Sequence, residues 1–202
     1  MTVKVKKMTR KSKSQASSEP TVDGVRTIRQ YATPQRVASE RVFSGRVFHL
    51  RSDRMRFDDG TEHQFDIVEH PGSVGIIALP EPGSIVLVRQ YRPAIARALW
   101  EIPAGKLDGA EDPLIAAARE LREETGFAAE RLISVAALYC TPGFCDELMH
   151  FVRAEGLTQG ANDPEDDEFL DVAVFTLAQA HAMLAGGEIA DVKTAYALML
   201  LG

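Results

Sequence analysis

The chain has 202 residues, 45% hydrophobic and 26% charged, with a formal net charge of -6. Length and composition suit one globular domain with a sizeable core plus a smaller appendage, and they exclude a large second domain. No apolar run approaches the roughly 20 residues that span a bilayer, and the first residues lack the apolar centre of a secretory signal, so a soluble cytoplasmic protein without a membrane partner is expected.

In chain order, residues 1 to 18 come first, with six Lys or Arg and no acid, leaving -12 on the remainder. The segment is polar and without hydrophobic periodicity, which predicts a disordered basic arm over residues 1–25. It has no interleaved aromatics, and an acidic body argues against nucleic acid as the main partner. Residues 26–70 read as a small antiparallel β subdomain, with DDGT (58–61) as a hairpin turn between RVFSGRVFHLRSDRMRF and EHQFDIVEH. Residues 71–202 form the main domain. There VGIIAL (74–79) and SIVLVRQY (84–91) flank PEPG, which predicts a second hairpin whose continuous apolar runs suit strands buried on both faces. LWEIP follows as a short strand, and Trp100 within it is assigned to packing.

A helix is bounded by Asp112 as cap, Pro113 at the first position and Gly126 as the left-handed stop. After it, LISVAALYC, LMHFVRAEGL and LDVAVFTL read as strands. Thr176 with Gln179 forms a capping box for a helix closed by Gly186 and Gly187, and a last helix begins near Asp191. Cys140 and Cys145 stand near each other without a His or Cys cluster, which predicts reduced thiols and no zinc site.

The charges on the first helix need a cause. Helical spacing predicts an apolar stripe of Leu114, Ala117, Ala118 and Leu121, with Glu120, Glu123 and Glu124 filling the arc beside it. Like charges at i, i+3 and i+4 repel, and anions near a helix C-terminus meet the negative end of its dipole. Arg119 can pair with Glu123, which leaves Glu120 and Glu124 without an obvious partner. A divalent cation would relieve both penalties, since hard ions take carboxylate, water and phosphate oxygens.

The stretch GKLDGAEDPLIAAARELREETGF resembles the Nudix box: Gly105, Glu111, Arg119, Glu120, Leu121, Glu123, Glu124, Gly126 and Phe127 occupy all of its specified positions. The resemblance implies an α/β/α sandwich with a mixed sheet, the box holding divalent metal against a diphosphate. Outside the box, VEHPGSVGII, VRQYRPAIARALWEIPAGK, TPGFCDE, PEDDEFLDV and GGEIADVKTAYAL resemble the ADP-ribose pyrophosphatase branch, which hydrolyses nucleoside diphosphate sugars.

That branch implies the candidate site. Glu120 and Glu124, the carbonyl of Ala104 and Glu168 are expected to hold Mg²⁺, with Mn²⁺ as the alternative. Glu165 or Asp166 in the acidic loop is expected to activate water, with Glu123 the next candidate. Arg92 suits diphosphate oxygens, against the reading of a strand-end surface charge. His70 reads equally as a phosphate donor or as a satisfied loop histidine, and Glu147 as an acceptor from sugar hydroxyls, with Asp146 beside it capping a turn. The resemblance also implies a homodimer through strands between residues 40 and 69. Two alternatives remain open: the same chemistry on GDP-mannose or UDP-glucose, and a regulator that binds a nucleotide sugar without catalysis.

Overall fold

The computed structural model describes residues 32–160 and 170–202, and every element lies in the compact unit Pro34–Gly202. The basic arm of residues 1–25 and the acids Glu165, Asp166 and Glu168 lie outside the described residues.

Strands β1 (Gln35–Ser44), β2 (His49–Arg56) and β3 (Glu62–Glu69) form an antiparallel three-stranded sheet in chain order. The β2–β3 turn is the expected one, with Gly60 at φ 81° supplying the left-handed step. Inside this sheet Asp53 is buried at 2% exposure. It accepts from Ser39 Oγ at 2.6 Å and Arg51 Nε at 3.0 Å, so the buried charge is paired.

The chain then enters β4 (Ser73–Leu79) and β5 (Ser84–Arg92), followed by β6 (Arg97–Glu101) and β7 (Ala104–Lys106). The expected hairpin of β4 with β5 is not formed. β4 lies between β7 and β9 (Leu148–Gln159) in the order β7-β4-β9-β8, with β8 spanning Phe127–Tyr139, whereas β5 lies between β6 and β10 (Asp171–Thr176). The PEPG turn therefore passes the chain from one sheet to another. Strands apolar on both faces carry no face-specific pattern to name a neighbour, and here β4 takes the distant β9 in parallel, Ser73 opposite Met149.

Burial on both faces is what the structure gives. Val74, Ile76 and Ala78 of β4, Val86 of β5 and Val152 and Ala154 of β9 join one core with Ala116, Ala117 and Leu121 of α1 (Pro113–Thr125). The alternate residues Ile77, Ile85, Leu87, Met149 and Phe151 join the other, with Ala180 and Met183 of α2 (Leu177–Gly186) and Ala197 and Leu198 of α3 (Val192–Leu201). Period-two alternation thus sends successive side chains to helices on opposite faces, the α/β/α sandwich with a mixed sheet. Trp100 packs edge-on to Phe175 with ring centroids 5.0 Å apart.

Among the described residues, α1, α2 and α3 start and stop as their caps require. Asp112 accepts from Leu114 N at 2.8 Å, Thr176 and Gln179 form the reciprocal capping box, and Asp191 caps α3. The buried face of α1 is displaced from the expected stripe. Ala116, Ala117, Glu120, Leu121 and Glu124 are buried, while Leu114 and Ala118 are exposed. Packing and acidic faces overlap because β7 runs against the C-terminal half of the helix.

Candidate active site

A cleft of about 520 Å³ opens where β4, β5, β7, α1 and α3 meet, and Arg92, Ala104, Glu120, Glu123 and Glu124 line it together with His70 and Glu147. Every candidate from the sequence that falls among the described residues is therefore at one place.

The box residues build one wall. Gly105 sits where a Cβ would lie 1.8 Å from the carboxyl carbon of Glu120, so any larger residue would force that carboxylate to move. Glu124 Oε2 accepts from Ala104 N at 3.0 Å, which places the second carboxylate against the same short strand. Arg119 closes the loop onto the helix: it donates from Nη2 to Glu111 at 2.9 Å and to the Lys106 carbonyl at 3.2 Å. Its Nη1 also reaches Glu120 at 2.8 Å and Glu123 at 3.1 Å. Glu120 and Glu124 thus have partners, contrary to expectation, because the forked guanidinium serves several acids at once and the β7 backbone serves another. The Arg119 hydrogen bonds hold the Glu111 carboxyl below the ordinary glutamate range.

The fit to a divalent metal rests on this wall. Glu120 and Glu124 are 9% and 6% exposed, offer hard oxygens, and face a cleft in which a side chain at Gly105 would displace the Glu120 carboxylate. Among the described residues no three His, Cys, Asp or Glu side chains form a closed cage. Mg²⁺ keeps several waters and needs only one or two carboxylates, so this donor set suits a hydrated Mg²⁺.

Cations come from elsewhere. Arg92, at the end of β5, makes a bidentate pair with Glu101, Nε to Oε1 at 2.9 Å and Nη2 to Oε2 at 2.6 Å. Glu101 is 1% exposed and also takes the Lys193 ammonium, from the first turn of α3. Burial pushes the Glu101 carboxyl up, but the Arg92 hydrogen bonds and Lys193 together outweigh this and hold it below the ordinary range.

The remaining wall joins β3 to the loop after β8. His70 Nδ1 accepts from Gly72 N at 3.2 Å, and its own backbone N–H donates to Asp146 Oδ1 at 2.8 Å. Asp146 does more than cap a turn: with Val68 N on the Phe144 carbonyl at 2.7 Å, it fastens the TPGFC loop to β3. Glu147 accepts from Ser73 Oγ at 2.7 Å. Burial first, then the nearby Glu147 carboxylate, pushes the Cys140 thiol up to about 11, which favours the protonated form.

Sequence reasoning missed Glu101, Lys193 and Ser73. The first two carried a signal: an acid inside the otherwise apolar LWEIP, and a lysine at a helix start, where the dipole disfavours a cation.

The NUDIX domain family profile matches residues 69–196. ADP-ribose pyrophosphatase of Bacillus subtilis (strain 168) is 40% identical over 167 residues, covering 82% of this chain and 90% of its own. Methanol dehydrogenase activator of Bacillus methanolicus is 39% identical over the same length and coverage. A solved structure titled "Crystal structure of ADP compounds hydrolase" superimposes with a TM-score of 0.76 over 86% of this chain and 94% of its own at 24% identity, a likeness of fold. A complete box folded into loop, helix and loop, the family match over most of the chain and relatives at this identity together establish that the chain belongs to the NUDIX domain family.

Proposed function

We propose that the chain hydrolyses the diphosphate bond of a nucleoside diphosphate sugar, with ADP-ribose giving AMP and ribose 5-phosphate. The observation that carries this reading is the meeting, in one cleft, of two buried box carboxylates with a guanidinium held by a buried acid. Glu120, Glu124 and the Ala104 carbonyl, with Glu168 from the acidic loop, are the residues that would hold Mg²⁺, or Mn²⁺ in its place. When bound, the ion neutralises diphosphate charge and makes a bound water a stronger nucleophile.

The protein's own groups position the substrate. Two of the five N–H groups of Arg92 are engaged with Glu101, and the others can meet phosphate oxygens. Because His70 Nδ1 accepts from Gly72, the neutral ring carries its proton on Nε2 and can donate from there. Glu147 keeps acceptor capacity for sugar hydroxyls beyond its bond from Ser73. Glu165 or Asp166 takes the proton of the attacking water, with Glu123 next in order. Amide substitution of the base lowers turnover far more than it weakens metal or substrate binding.

The deciding experiment is a panel of ADP-ribose, GDP-mannose and UDP-glucose assayed with and without Mg²⁺, with products identified by mass. Hydrolysis of none of them would overturn the reading. It would favour a second one, a Nudix protein acting on another enzyme, to which the relative named as a dehydrogenase activator gives its support.

The assembly proposed is a cytoplasmic homodimer formed through the β1–β3 sheet, with residues 26–70 as the pairing subdomain. Val42, Phe43, Val47, Phe48 and Phe65 of this region are each more than 40% exposed, and Val47 also lines the cleft. A fully active monomer in sedimentation at micromolar concentration would overturn this arrangement.

A further inference from the structure

We propose that Asp146 is a positioning residue of this cleft, which, backed by Arg51 of β2, sets the spacing of His70 and Glu147; this rests on the nucleoside diphosphate sugar reading above.

His70 and Glu147 each follow an acid, Glu69 at the end of β3 and Asp146 in the loop after β8. Successive side chains of an extended chain point to opposite sides. His70 and Glu147 accordingly line the cleft, whereas Asp146 and Arg51 line a second cavity of about 450 Å³. One guanidinium nitrogen joins the two acids: Arg51 Nη1 donates to Glu69 Oε1 at 2.9 Å and reaches Asp146 Oδ2 at 3.5 Å. Arg51 is itself fixed by the buried Asp53, through Nε at 3.0 Å. Its hydrogen bond to Glu69 outweighs burial and holds that carboxyl below the ordinary glutamate range. Arg51 and Asp53 precede the family match at residues 69–196, so the first sheet reaches the cleft through side chains outside the profile.

Docking the loop does not require the Asp146 carboxylate. The loop already joins β3 as a parallel bridge between Val68 and Cys145, with the Val68 N–H on the Phe144 carbonyl at 2.7 Å and the Asp146 N–H on the Val68 carbonyl at 3.1 Å. The carboxylate instead takes the backbone N–H of His70 itself, on Oδ1 at 2.8 Å. One aspartate thus holds the imidazole-bearing residue by its side chain and the carboxylate-bearing residue through its own backbone. The two groups stand close, with His70 Nδ1 4.0 Å from Glu147 Oε1. Their side chains are also tied to the entry of β4, His70 by the Gly72 N–H and Glu147 by Ser73 Oγ. Asp146 closes the triangle of β3, β4 and the loop, so the spacing is set before substrate arrives and little ordering cost remains at binding.

The test titrates ADP-ribose, without divalent metal, into the full chain by calorimetry and records histidine ring nitrogen NMR shifts, for wild type, Asp146→Ala, Asp146→Asn and Ser39→Ala. The His70 signals are identified by their loss in His70→Gln. Asp146→Ala is expected to shift these signals in the free protein and to weaken ADP-ribose binding at least about tenfold, the scale of one charged hydrogen bond to a sugar hydroxyl. With Mg²⁺ present it should raise KM with less effect on kcat. Asp146→Asn keeps an oxygen for the His70 N–H and should recover most of the affinity. Ser39→Ala removes the 2.6 Å bond to Asp53 Oδ1 and leaves Arg51 on the other oxygen, so it should lower the thermal midpoint with affinity and His70 signals unchanged. Wild-type affinity in Asp146→Ala, unshifted His70 signals, no recovery in Asp146→Asn, or an equal loss in Ser39→Ala would each overturn the assignment. If Asp146→Ala shifts His70 and weakens ADP-ribose binding while wild type hydrolyses no nucleoside diphosphate sugar, the assignment stands and the hydrolase reading falls. A wild type that does not bind ADP-ribose would overturn both.

Discussion

Gly105 and Glu120 define each other: the carboxylate occupies the space a side chain at residue 105 would need. That packing turns a charge pattern into a shaped site, and it sets what single atoms should do. Glu120→Gln and Glu124→Gln keep shape and remove charge, so both should fold and lose turnover at least about a hundredfold, about 2.7 kcal/mol of transition-state stabilisation. Near-normal Mg²⁺-dependent turnover in both would remove these acids from the metal site. At Glu101 the signature is pH. Its carboxyl lies below the ordinary range when folded, so its contribution to stability is complete above the unfolded value of about 4.3 and is lost as pH falls through the lower folded value. The stability gap between wild type and Glu101→Gln, measured by urea unfolding from about pH 7 to pH 3, should therefore narrow on acidification. A gap independent of pH would mean the buried network contributes through shape alone. His70 and Glu147 could be proposed from their residue types, but their partners, Gly72 and Ser73, could not, because no local pattern announces which backbone or hydroxyl group will arrive.

Helix α1 was legible to its ends because its punctuation is local: a capping Asp112, Pro113, and Gly126 at φ 72°. Its buried face was not, since which side of a helix packs is decided by what lies against it, here β7. The cap and the site are separable along this helix. Asp112 serves the first turn, three turns from Glu124, so Asp112→Ala should cost about 1 kcal/mol of stability and leave kcat within about twofold. The check pairs a denaturation midpoint with an assay on the same sample, and a turnover loss in proportion to stability would show that the whole helix moves as one unit with the site. The missed pairing of β4 and β5 has the opposite origin. A turn as short as PEPG looks like a hairpin from either side, and only the two-faced burial of both strands reveals that each has neighbours of its own.

At the scale of the whole molecule, the box was readable because nine positions fall within twenty-three residues. The network of Arg92, Glu101 and Lys193 joins groups 92 residues apart, a separation no periodicity spans. The same separation bears on refolding. Parallel pairing of Ser73 with Met149 and docking of α3 both close long loops, which are entropically slow to form. After dilution from urea, far-ultraviolet signal from the locally encoded helices should return before pyrophosphatase activity, and simultaneous recovery of the two would show that α1 does not form ahead of its sheet. Synthesis on the ribosome imposes a stricter order. The acidic box leaves the exit tunnel while residue 193 is still to be added, so for that interval the nascent chain carries the box acids and Arg92 while the last helix and its Lys193 contact to Glu101 are still missing. A newly made molecule therefore becomes competent for a diphosphate only when its C-terminal helix seats, which makes that last helix the checkpoint between a translated chain and a working one.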